Sequence, residues 1–253
     1  MRHAGDAKQL EIVVASKAYR SARGERIEIF RDFACALPLG RLTAVLGPSG
    51  AGKTTFLRIA AGLDKDFTGH VTMSGAHRIG FVFQEPRLLP WRTLEQNVRL
   101  AAPAVGAKAL RAIFTRLRLA DHADLYPGEL SLGLARRAAI ARALAISPDV
   151  LILDEPFVSL DPPMAAALRA DLGALVRERS LTALMVSHAP DDALAIADRA
   201  LVFAGRPARI VGDLDVACAR DLGDDALADL RGRLDALLQV ASAQGLSCDA
   251  SGP

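Results

Sequence analysis

The sequence has few cysteines and almost no net charge. Its 253 residues include only Cys35, Cys218 and Cys248, which are widely spaced and form no C-x-x-C pair. An odd number of isolated cysteines is typical of reduced thiols in a cytosolic protein, and it argues against a zinc site. The 31 basic and 29 acidic residues give a formal net charge of +2. This balance gives no reason to expect a nucleic-acid or anionic-membrane surface.

Long hydrophobic runs are also missing from the sequence. No uninterrupted apolar stretch approaches the roughly 20 residues that a membrane-spanning helix needs, and the amino terminus lacks the apolar core of a secretory signal. We therefore expect that the chain does not enter the bilayer itself. The composition does include 51% hydrophobic residues, which is enough for one large core or for one core with a subdomain.

A glycine-rich segment at residues 47–55 fits the phosphate-binding pattern G-x-x-x-x-G-K-[ST]. An apolar run at 42–46 predicts a buried parallel strand before it, and residues 55–61 predict a helix after it. In such a loop the backbone N–H groups turn inward around phosphates, Lys53 reaches the outer oxygens, and the Thr54 hydroxyl is placed to ligate Mg²⁺. The alternative is a glycine-rich turn that only caps a helix. The nucleotide-binding residues predicted here are Gly47, Pro48, Ser49, Gly50, Ala51, Gly52, Lys53, Thr54 and Thr55.

Apolar strands alternate with helical segments along the rest of the chain. Strands are predicted at 10–14, 26–30, 42–46, 71–73, 79–83, 150–153 and 182–186, and helical structure at 55–61, from about 93 to 146, and from 224 onward. The alternation indicates a parallel sheet covered on both faces, with the helical middle inserted as a subdomain. Leucines recur at helical spacing after residue 224, so this last helix packs on the core or, less favoured, on a partner. Residues 1–8 and 242–253 are predicted to be frayed.

Two carboxylates, Asp154 and Glu155, follow the apolar strand at 150–153. Acids at the carboxyl end of a parallel strand lie where active sites form in such sheets. Asp154 is expected to hold Mg²⁺ directly or through water, and Glu155 to orient the attacking water and take its proton. The alternative, that the two acids only begin a turn before Pro156, is disfavoured because the phosphate loop is present.

Together these motifs resemble the nucleotide-binding, ATP-hydrolysing subunit of an ATP-binding cassette (ABC) transporter, and the similarity covers nearly the whole chain in order. Gln84, after the strand at 79–83, is similar to the family's glutamine that senses Mg²⁺ and the terminal phosphate. His188, after the strand at 182–186, is similar to the histidine that contacts the terminal phosphate. Tyr19 is similar to the aromatic residue that stacks on adenine. Outside this resemblance, each would be an ordinary surface or structural residue.

The segment at 130–134 reads Leu-Ser-Leu-Gly-Leu and resembles the family signature, which is normally Leu-Ser-Gly-Gly-Gln. The resemblance implies that Ser131 and Gly133 contact the terminal phosphate of ATP held by a second copy of the subunit. It also places Asp161 in the loop where the two subunits touch, so that two ATP molecules are sandwiched between two chains. Leu132 replaces a glycine, and its side chain must point away from the phosphate or weaken this contact. Without the resemblance the segment is a capped helix.

Residues 84–98 and 205–211 are similar to those of importers of the nitrate, sulfonate and taurine group. The resemblance implies an integral membrane permease as partner, a solute-binding protein as an indirect partner, and a location at the cytoplasmic face of the inner membrane. Trp91 and residues 88–90 then face the permease, or they form a small apolar cluster that fixes the helical lobe. The alternative function is a soluble ABC-type ATPase acting on nucleic acid or ribosomes. A small-molecule kinase fits poorly, because it would not need the residues at 131, 161 and 188.

The resemblance implies the α/β fold of P-loop NTPases, with a RecA-like parallel sheet core, an amino-terminal antiparallel β subdomain and an inserted α-helical subdomain. We expect one ABC ATPase domain over residues 1–253. Within it, the nucleotide-binding core covers 9–85 plus 148–212, the helical signature subdomain covers 86–147, and a carboxy-terminal helical extension covers 213–253. ATP and Mg²⁺ are the expected cofactors.

Overall fold

Nine strands in the described part of the chain form two sheets. The structure is a computed structural model that describes residues 9–22, 24–73 and 77–246. The strands are β1 (Gln9–Arg20), β2 (Arg26–Pro38), β3 (Leu42–Leu46), β4 (Thr68–Thr72), β5 (Ile79–Val82), β6 (Val150–Asp154), β7 (Thr182–Val186), β8 (Arg199–Ala204) and β9 (Arg209–Asp215). One sheet has the order β2-β1-β4 and the other has the order β5-β6-β7-β3-β8-β9.

Eight α-helices in the described residues connect these strands. They are α1 (Lys53–Ala60), α2 (Leu94–Ala101), α3 (Ala107–Arg116), α4 (Leu132–Ala145), α5 (Pro162–Glu178), α6 (Pro190–Ile196), α7 (Val216–Leu222) and α8 (Asp224–Leu246). Two short 3-10 helices, Ala120–His122 and Pro127–Glu129, lie between α3 and α4. The regular alternation of strands and helices confirms the predicted α/β class.

The six-stranded sheet positions most of the predicted site. Five of its strands run parallel, and only β9 is antiparallel. Every residue of β3, β6 and β7 is buried, as expected for apolar strands covered on both faces. β3 lies between β7 and β8, with Val45 paired to Val186 on one side and to Leu201 on the other. Because these strands are parallel, the residues that follow β3, β6 and β7 meet at one edge of the sheet.

The three-stranded sheet is the predicted antiparallel β subdomain. It packs on α1 and on the larger sheet through aromatic side chains. The Phe33 ring of β2 lies 4.8 Å from Phe30, 5.7 Å from Phe56 of α1 and 5.3 Å from Phe203 of β8, measured between ring centroids. These tilted and edge-on contacts are the favourable geometry for aromatic pairs, and they fix the β subdomain beside the start of α1.

The helical middle of the chain is inserted between β5 and β6. Leu94 of α2, Leu110 of α3 and Ile140 of α4 belong to the same buried cluster as Leu151 and Leu153 of β6. This is the inserted α-helical subdomain of the predicted fold class. It shares a continuous hydrophobic core with the parallel sheet, so α4 holds a fixed position relative to the sheet edge.

The last helix, α8, packs on the core, as favoured from its leucine spacing. Leu230 and Leu234 are buried, and the other leucines of the pattern, Leu227, Leu237 and Leu238, pack against them while partly buried. The prediction of fraying from residue 242 was wrong for residues 242–246, because α8 continues to Leu246. Residues 1–8 and 247–253, including Cys248, lie outside the described residues. β9 continues to Asp215, three residues past the expected domain boundary at 212.

No helix in the described ranges is both long enough and apolar enough to cross a membrane.

Candidate functional site

The glycine-rich loop connects β3 to α1 and has a backbone that only glycine fits at two positions. Gly47 has φ +146°, and a Cβ there would lie 2.4 Å from the carbonyl oxygen of Phe203. Gly52 has φ +80°, and a Cβ there would lie 2.9 Å from Cγ2 of Ile29. Residues in these conformations rarely carry side chains. The loop is thus held against β8 and the β subdomain, with the free N–H groups of α1 beginning at Lys53.

Lys53 and Asp154 are buried next to each other at the carboxyl edge of the sheet. The ammonium of Lys53 donates hydrogen bonds to the carbonyl oxygens of Gly47 at 2.7 Å and Pro48 at 2.8 Å. The hydroxyl of Thr54 donates to Oδ1 of Asp154 at 3.3 Å. Burial lowers the pKa of Lys53 and raises the pKa of Asp154. Both shifts show that desolvation disfavours the charged form of each group.

Two predicted residues converge on the carboxylate of a third. Oε2 of Glu155 lies 3.5 Å from Nε2 of Gln84 and 3.6 Å from Nδ1 of His188. Glu155 has φ +48°, a left-handed conformation that costs a non-glycine residue on the order of 1 kcal/mol and is common at functional sites. Its backbone N–H donates to the carbonyl oxygen of Val186 at 3.0 Å, so the ends of β6 and β7 are tied together. The structure therefore brings Gln84, Glu155 and His188 to the edge that carries the glycine-rich loop.

Tyr19 lies on the β subdomain near the same loop. Its hydroxyl donates to Oδ2 of Asp64 at 2.8 Å, and Nζ of Lys17 lies 4.4 Å from its ring centroid. Lys17 also donates to Oδ1 of Asp64 at 2.9 Å. Burial, together with the hydrogen bond to Asp64, raises the pKa of Tyr19. The roles of Lys17 and Asp64 in holding Tyr19 were not predicted, because Asp64 is far along the chain from Lys17 and Tyr19.

The predicted signature residues lie at the start of α4. Ser131 is the N-cap, and its hydroxyl accepts a hydrogen bond from the Leu134 N–H at 3.3 Å. A Cβ on Gly133 would lie 1.9 Å from Sδ of Met164 in α5, so glycine allows the two helices to touch here. Asp161 is the N-cap of α5 and accepts from the Met164 N–H at 2.9 Å. In the described residues, no hydrogen bond joins Ser131, Gly133 or Asp161 to the loop at 47–55.

Two arginines that were not predicted also contact the site. Arg136 of α4 is buried, and its Nη1 donates to the carbonyl oxygens of Gln84 at 2.9 Å and Glu155 at 3.3 Å. Arg206, which follows β8, donates from Nε to the carbonyl oxygen of Gly50 at 2.9 Å. α4 carries Arg136, Arg137 and Arg142 in an otherwise apolar sequence, and a buried guanidinium needs acceptors, but the sequence does not show which of the three contacts the site. Nothing in the local sequence indicates the partner of Arg206.

The chain is similar to known proteins over most of its length. A family model described as ABC transporter matches residues 30–158. An aliphatic sulfonates import ATP-binding protein of Burkholderia cenocepacia is 41% identical over 235 residues, which cover 89% of this chain and 85% of the relative. A protein of the same description from Pseudomonas aeruginosa is 39% identical and covers 94% of this chain and 98% of the relative.

Solved structures of similar proteins have the same architecture. One is a dimeric ATP-binding cassette in a post-hydrolysis state bound to ADP and Pi, with a TM-score of 0.70 and 26% identity. A second is a dimeric bacterial ABC transporter cassette, with a TM-score of 0.71 and 27% identity. Each match covers 82% of this chain and 98% of the solved chain. The likeness therefore extends over most of the chain and not over the glycine-rich loop alone.

Proposed function

This chain belongs to the ABC transporter family as an ATP-binding, ATP-hydrolysing subunit, and from that premise we propose that it powers the import of aliphatic sulfonates or similar small organic anions. The relatives from Burkholderia cenocepacia and Pseudomonas aeruginosa, both described as aliphatic sulfonates import ATP-binding proteins, support the direction and the solute class. The alternative function on nucleic acid or ribosomes has no such support. Nitrate and taurine, the other solutes of this importer group, are the next candidates for the transported solute.

One observation carries the catalytic part of this proposal. Oε2 of Glu155 faces both Nε2 of Gln84 and Nδ1 of His188 within 3.6 Å, at the edge where the Lys53 loop ends. A carboxylate in that place orients a water molecule for attack on the terminal phosphate and accepts its proton, an effect worth about 10²- to 10⁴-fold in rate. Gln84 and His188 donate hydrogen bonds to the water or to the phosphate oxygens.

The phosphates are proposed to bind across the loop between β3 and α1. Backbone N–H groups at the start of α1 and the Lys53 ammonium provide the positive potential. Tyr19 stacks on the base, because Asp64 fixes its hydroxyl and Lys17 covers one ring face, which leaves the opposite face for the nucleotide. The proposed nucleotide-binding residues are Tyr19, Gly47, Pro48, Ser49, Gly50, Ala51, Gly52, Lys53, Thr54 and Thr55.

The oxygens near Asp154 suit Mg²⁺. The Thr54 hydroxyl and the Asp154 carboxylate lie 3.3 Å apart, and the Gln84 amide faces the same edge. The described residues contain no group of three or more His, Cys, Asp or Glu side chains that could hold a metal ion. Mg²⁺ in nucleotide sites is usually held by a few protein oxygens together with the phosphates of the substrate. Mg²⁺ bound there would neutralise phosphate charge, and Thr54, Asp154 and Gln84 are the residues that would hold it.

Two copies of the chain are proposed to form the complete sites. Ser131 and Asp161 are exposed at the starts of α4 and α5, whereas Gly133 is buried in the first turn of α4. In the described residues, none of the three hydrogen-bonds to the chain's own loop at 47–55. The solved cassettes that resemble this chain are dimers. In a twofold dimer the α4 end of one chain meets the nucleotide of the other, so each chain supplies half of both sites.

A membrane permease is the proposed second partner. Trp91 is 70% exposed, and Leu88 beside it packs only partly against the core. A large exposed aromatic side chain in the helical subdomain is a typical anchor for a partner. We place the subunit at the cytoplasmic face of the inner membrane through this contact, with a solute-binding protein acting on the permease.

The proposed division of the chain remains a nucleotide-binding core at 9–85 with 148–212, a helical signature subdomain at 86–147 and a carboxy-terminal helical extension at 213–253.

The test of the catalytic assignment uses two substitutions. Lys53→Ala should abolish tight ATP binding, because it removes the only side-chain cation assigned to the outer phosphates. Glu155→Gln should keep ATP binding, lose at least about 10²-fold in turnover, and accumulate an ATP-bound dimer in light-scattering measurements. Glu11→Gln, on an exposed residue of β1, is the matched control and should behave as wild type. Full turnover by the Glu155→Gln chain would remove Glu155 from the base role.

The test of the solute class requires the permease. Reconstituted vesicles with the permease, a solute receptor and this subunit should hydrolyse ATP faster when an alkyl sulfonate is added. An equal-sized neutral sugar should not accelerate hydrolysis. Stimulation by the sugar, or by nucleic acid in the absence of permease, would contradict the proposed solute or the transport function.

A further inference from the structure

A buried polar network surrounds the backbone of His188. Ser187 and Asp192 are 2% and 6% exposed. The hydroxyl of Ser187 donates to Oδ2 of Asp192 and accepts a hydrogen bond from the Ala189 N–H at 3.0 Å. The Asp192 N–H donates to the Ala189 carbonyl oxygen at 3.1 Å. The residues on both sides of His188 are thus held by one carboxylate and one hydroxyl.

The other oxygen of the same carboxylate is bound from α5. Nη1 of Arg169 donates to Oδ1 of Asp192 at 2.7 Å, and both side chains are largely buried. Arg169 also lies 6.0 Å from the ring centroid of Phe157, which follows β6. α5 begins at Asp161, the residue assigned to the contact between subunits. Asp192 therefore connects the His188 segment directly to the helix that carries Asp161.

These groups border one cavity. It has a volume of about 300 Å³ and is lined by Glu155, Ser159, Arg169, His188 and Asp192, among others. Asp192 and Glu155, the proposed base, both line this cavity. A displacement of either α5 or the His188 segment would change the shape of this cavity and the 3.6 Å separation between Glu155 and His188.

We propose that Asp192 is a positioning residue that couples the placement of His188 to the placement of α5. A buried carboxylate that loses one of its two partners is left with an uncompensated charge. The His188 segment and α5 therefore keep a fixed relation to each other. A contact made by a second subunit on Asp161 at the start of α5 is then transmitted to His188. This inference rests on the proposed function, because it assumes that His188 acts in ATP hydrolysis.

An ordinary stabilising ion pair would have a different effect from a positioning residue. Loss of stability alone lowers the amount of folded protein and does not act through His188. Loss of positioning lowers the turnover number with little change in ATP binding, and it has no further effect once the His188 imidazole is gone. A double-mutant cycle separates the two cases.

The experiment measures kcat and KM for ATP on the full chain in the backgrounds of wild type and His188→Gln. In the wild-type background, Asp192→Asn should lower kcat at least about tenfold, with KM changed by no more than about twofold. In the His188→Gln background, the same substitution should change kcat by less than about twofold. Asp192→Glu keeps the charge and should lose less activity than Asp192→Asn. Asp213→Asn, which breaks an ion pair between β8 and β9 instead, is the control and should leave kcat unchanged.

Ser187→Ala provides a second route if Asp192→Asn does not fold. It removes the hydroxyl that holds Ala189 and leaves the ion pair between Arg169 and Asp192 in place. It should lower kcat several-fold in the wild-type background only. Equal fold-losses in both backgrounds, or unchanged turnover in all the single variants of the network, would overturn the inference. ATP turnover by the Lys53→Ala chain would instead overturn the proposed function, so the two failures are distinguishable.

Discussion

Lys53 and Asp154 are buried charges, and in the proposed site their cost would fall when nucleotide and Mg²⁺ bind. Burial lowers the pKa of Lys53 and raises the pKa of Asp154. The raised pKa of Asp154 means that its ionised form destabilises the folded chain as pH rises through the folded pKa. Phosphate oxygens beside Lys53 and Mg²⁺ beside Asp154 would replace the lost hydration of both groups. In the absence of ligand, these two buried charges therefore make the folded chain less stable than uncharged residues in their place would, as is common at functional sites.

Asp154→Asn tests this view of the site. The substitution removes a buried charge, so the ligand-free chain should melt at the same temperature as wild type or a few degrees higher. The increase in melting temperature on adding Mg²⁺ and ATP should become smaller than in wild type, because one oxygen ligand for the cation is lost. Differential scanning fluorimetry with and without a chelator measures both effects. A large drop in the melting temperature of the ligand-free variant would show that Asp154 stabilises the fold instead.

Tyr19 allows the ring and the hydroxyl to be tested separately. Tyr19→Phe loses the hydrogen bond to Asp64 and keeps the aromatic face. Tyr19→Ala loses both. Because base stacking is worth about 1–3 kcal/mol per base, Tyr19→Ala should raise the KM for ATP about tenfold or more. Tyr19→Phe should raise it much less, and measurement of KM for both variants would detect the difference. Equal effects of the two variants would mean that the hydroxyl and not the ring is important.

At the scale of single elements, α4 is held to the rest of the chain by arginines that donate to backbone carbonyl groups. Arg136 reaches the Gln84 and Glu155 carbonyls, and Arg142 reaches the carbonyls of Pro86 and Arg87. Burial lowers the pKa of both guanidinium groups. A buried donor of this kind is costly unless its acceptors are in place. The signature end of α4 thus keeps a defined position relative to the catalytic edge.

The start of α4 offers a comparison between two helix caps. Ser131→Ala and Thr93→Ala each remove a side chain that caps a helix, at α4 and α2 respectively. Each should cost about 1 kcal/mol in the free energy of unfolding, measured by urea denaturation. Only Ser131→Ala should also weaken the ATP-driven dimer of the Glu155→Gln chain, because only Ser131 is assigned to the partner's nucleotide. Equal dimerisation by the two capping variants would limit Ser131 to a structural role.

Buried parallel strands were the elements best predicted from sequence. β3 and β7 begin and end at the predicted residues, because a strand covered on both faces is mostly apolar; Thr43 and Thr182 are their only polar residues. β2 continues to Pro38, eight residues beyond the predicted end, since its buried residues Phe33, Cys35 and Leu37 alternate with less buried ones and the alternation was not recognised. The residues predicted for catalysis and metal binding did gather at one sheet edge, whereas Ser131 and Tyr19 lie on other elements. Arg136, Lys17 and Asp192 were missed, because their roles depend on partners from other elements.

At the scale of the whole molecule, the position of the motifs favours sites made by two chains. Lys53, Asp154, Glu155 and His188 lie at the carboxyl edge of the parallel sheet. Ser131 lies at the start of α4 in the inserted helical subdomain, and its side-chain hydrogen bond stays within that helix. The continuous core between the two parts opposes a large movement of α4 within one chain. In the proposed dimer, a second copy would supply the α4 end without such a movement.

Complementation between two inactive variants tests this arrangement. Lys53→Ala removes the loop function, and Ser131→Arg places a bulky cation at an exposed cap and removes the signature function. Each chain alone should be inactive. A mixed dimer should contain one site with both functions intact, since the Lys53→Ala chain supplies Ser131 and the Ser131→Arg chain supplies Lys53. With random pairing in an equal mixture, roughly a quarter of all sites should be intact.

The expected result is that the equal mixture hydrolyses ATP well above the sum of the two separate variants, measured as phosphate release at a concentration that supports dimers. The control replaces the Ser131→Arg chain with one that carries both substitutions, so that mixing with Lys53→Ala chains creates no intact site. Activity should then stay at the background level. If the first mixture also stays at background while both variants remain folded and dimeric, the loop and the signature do not act across two chains. That result would contradict the twofold arrangement. Each mixed dimer contains one intact loop and one intact signature, and in that arrangement the two should face each other and form a working site.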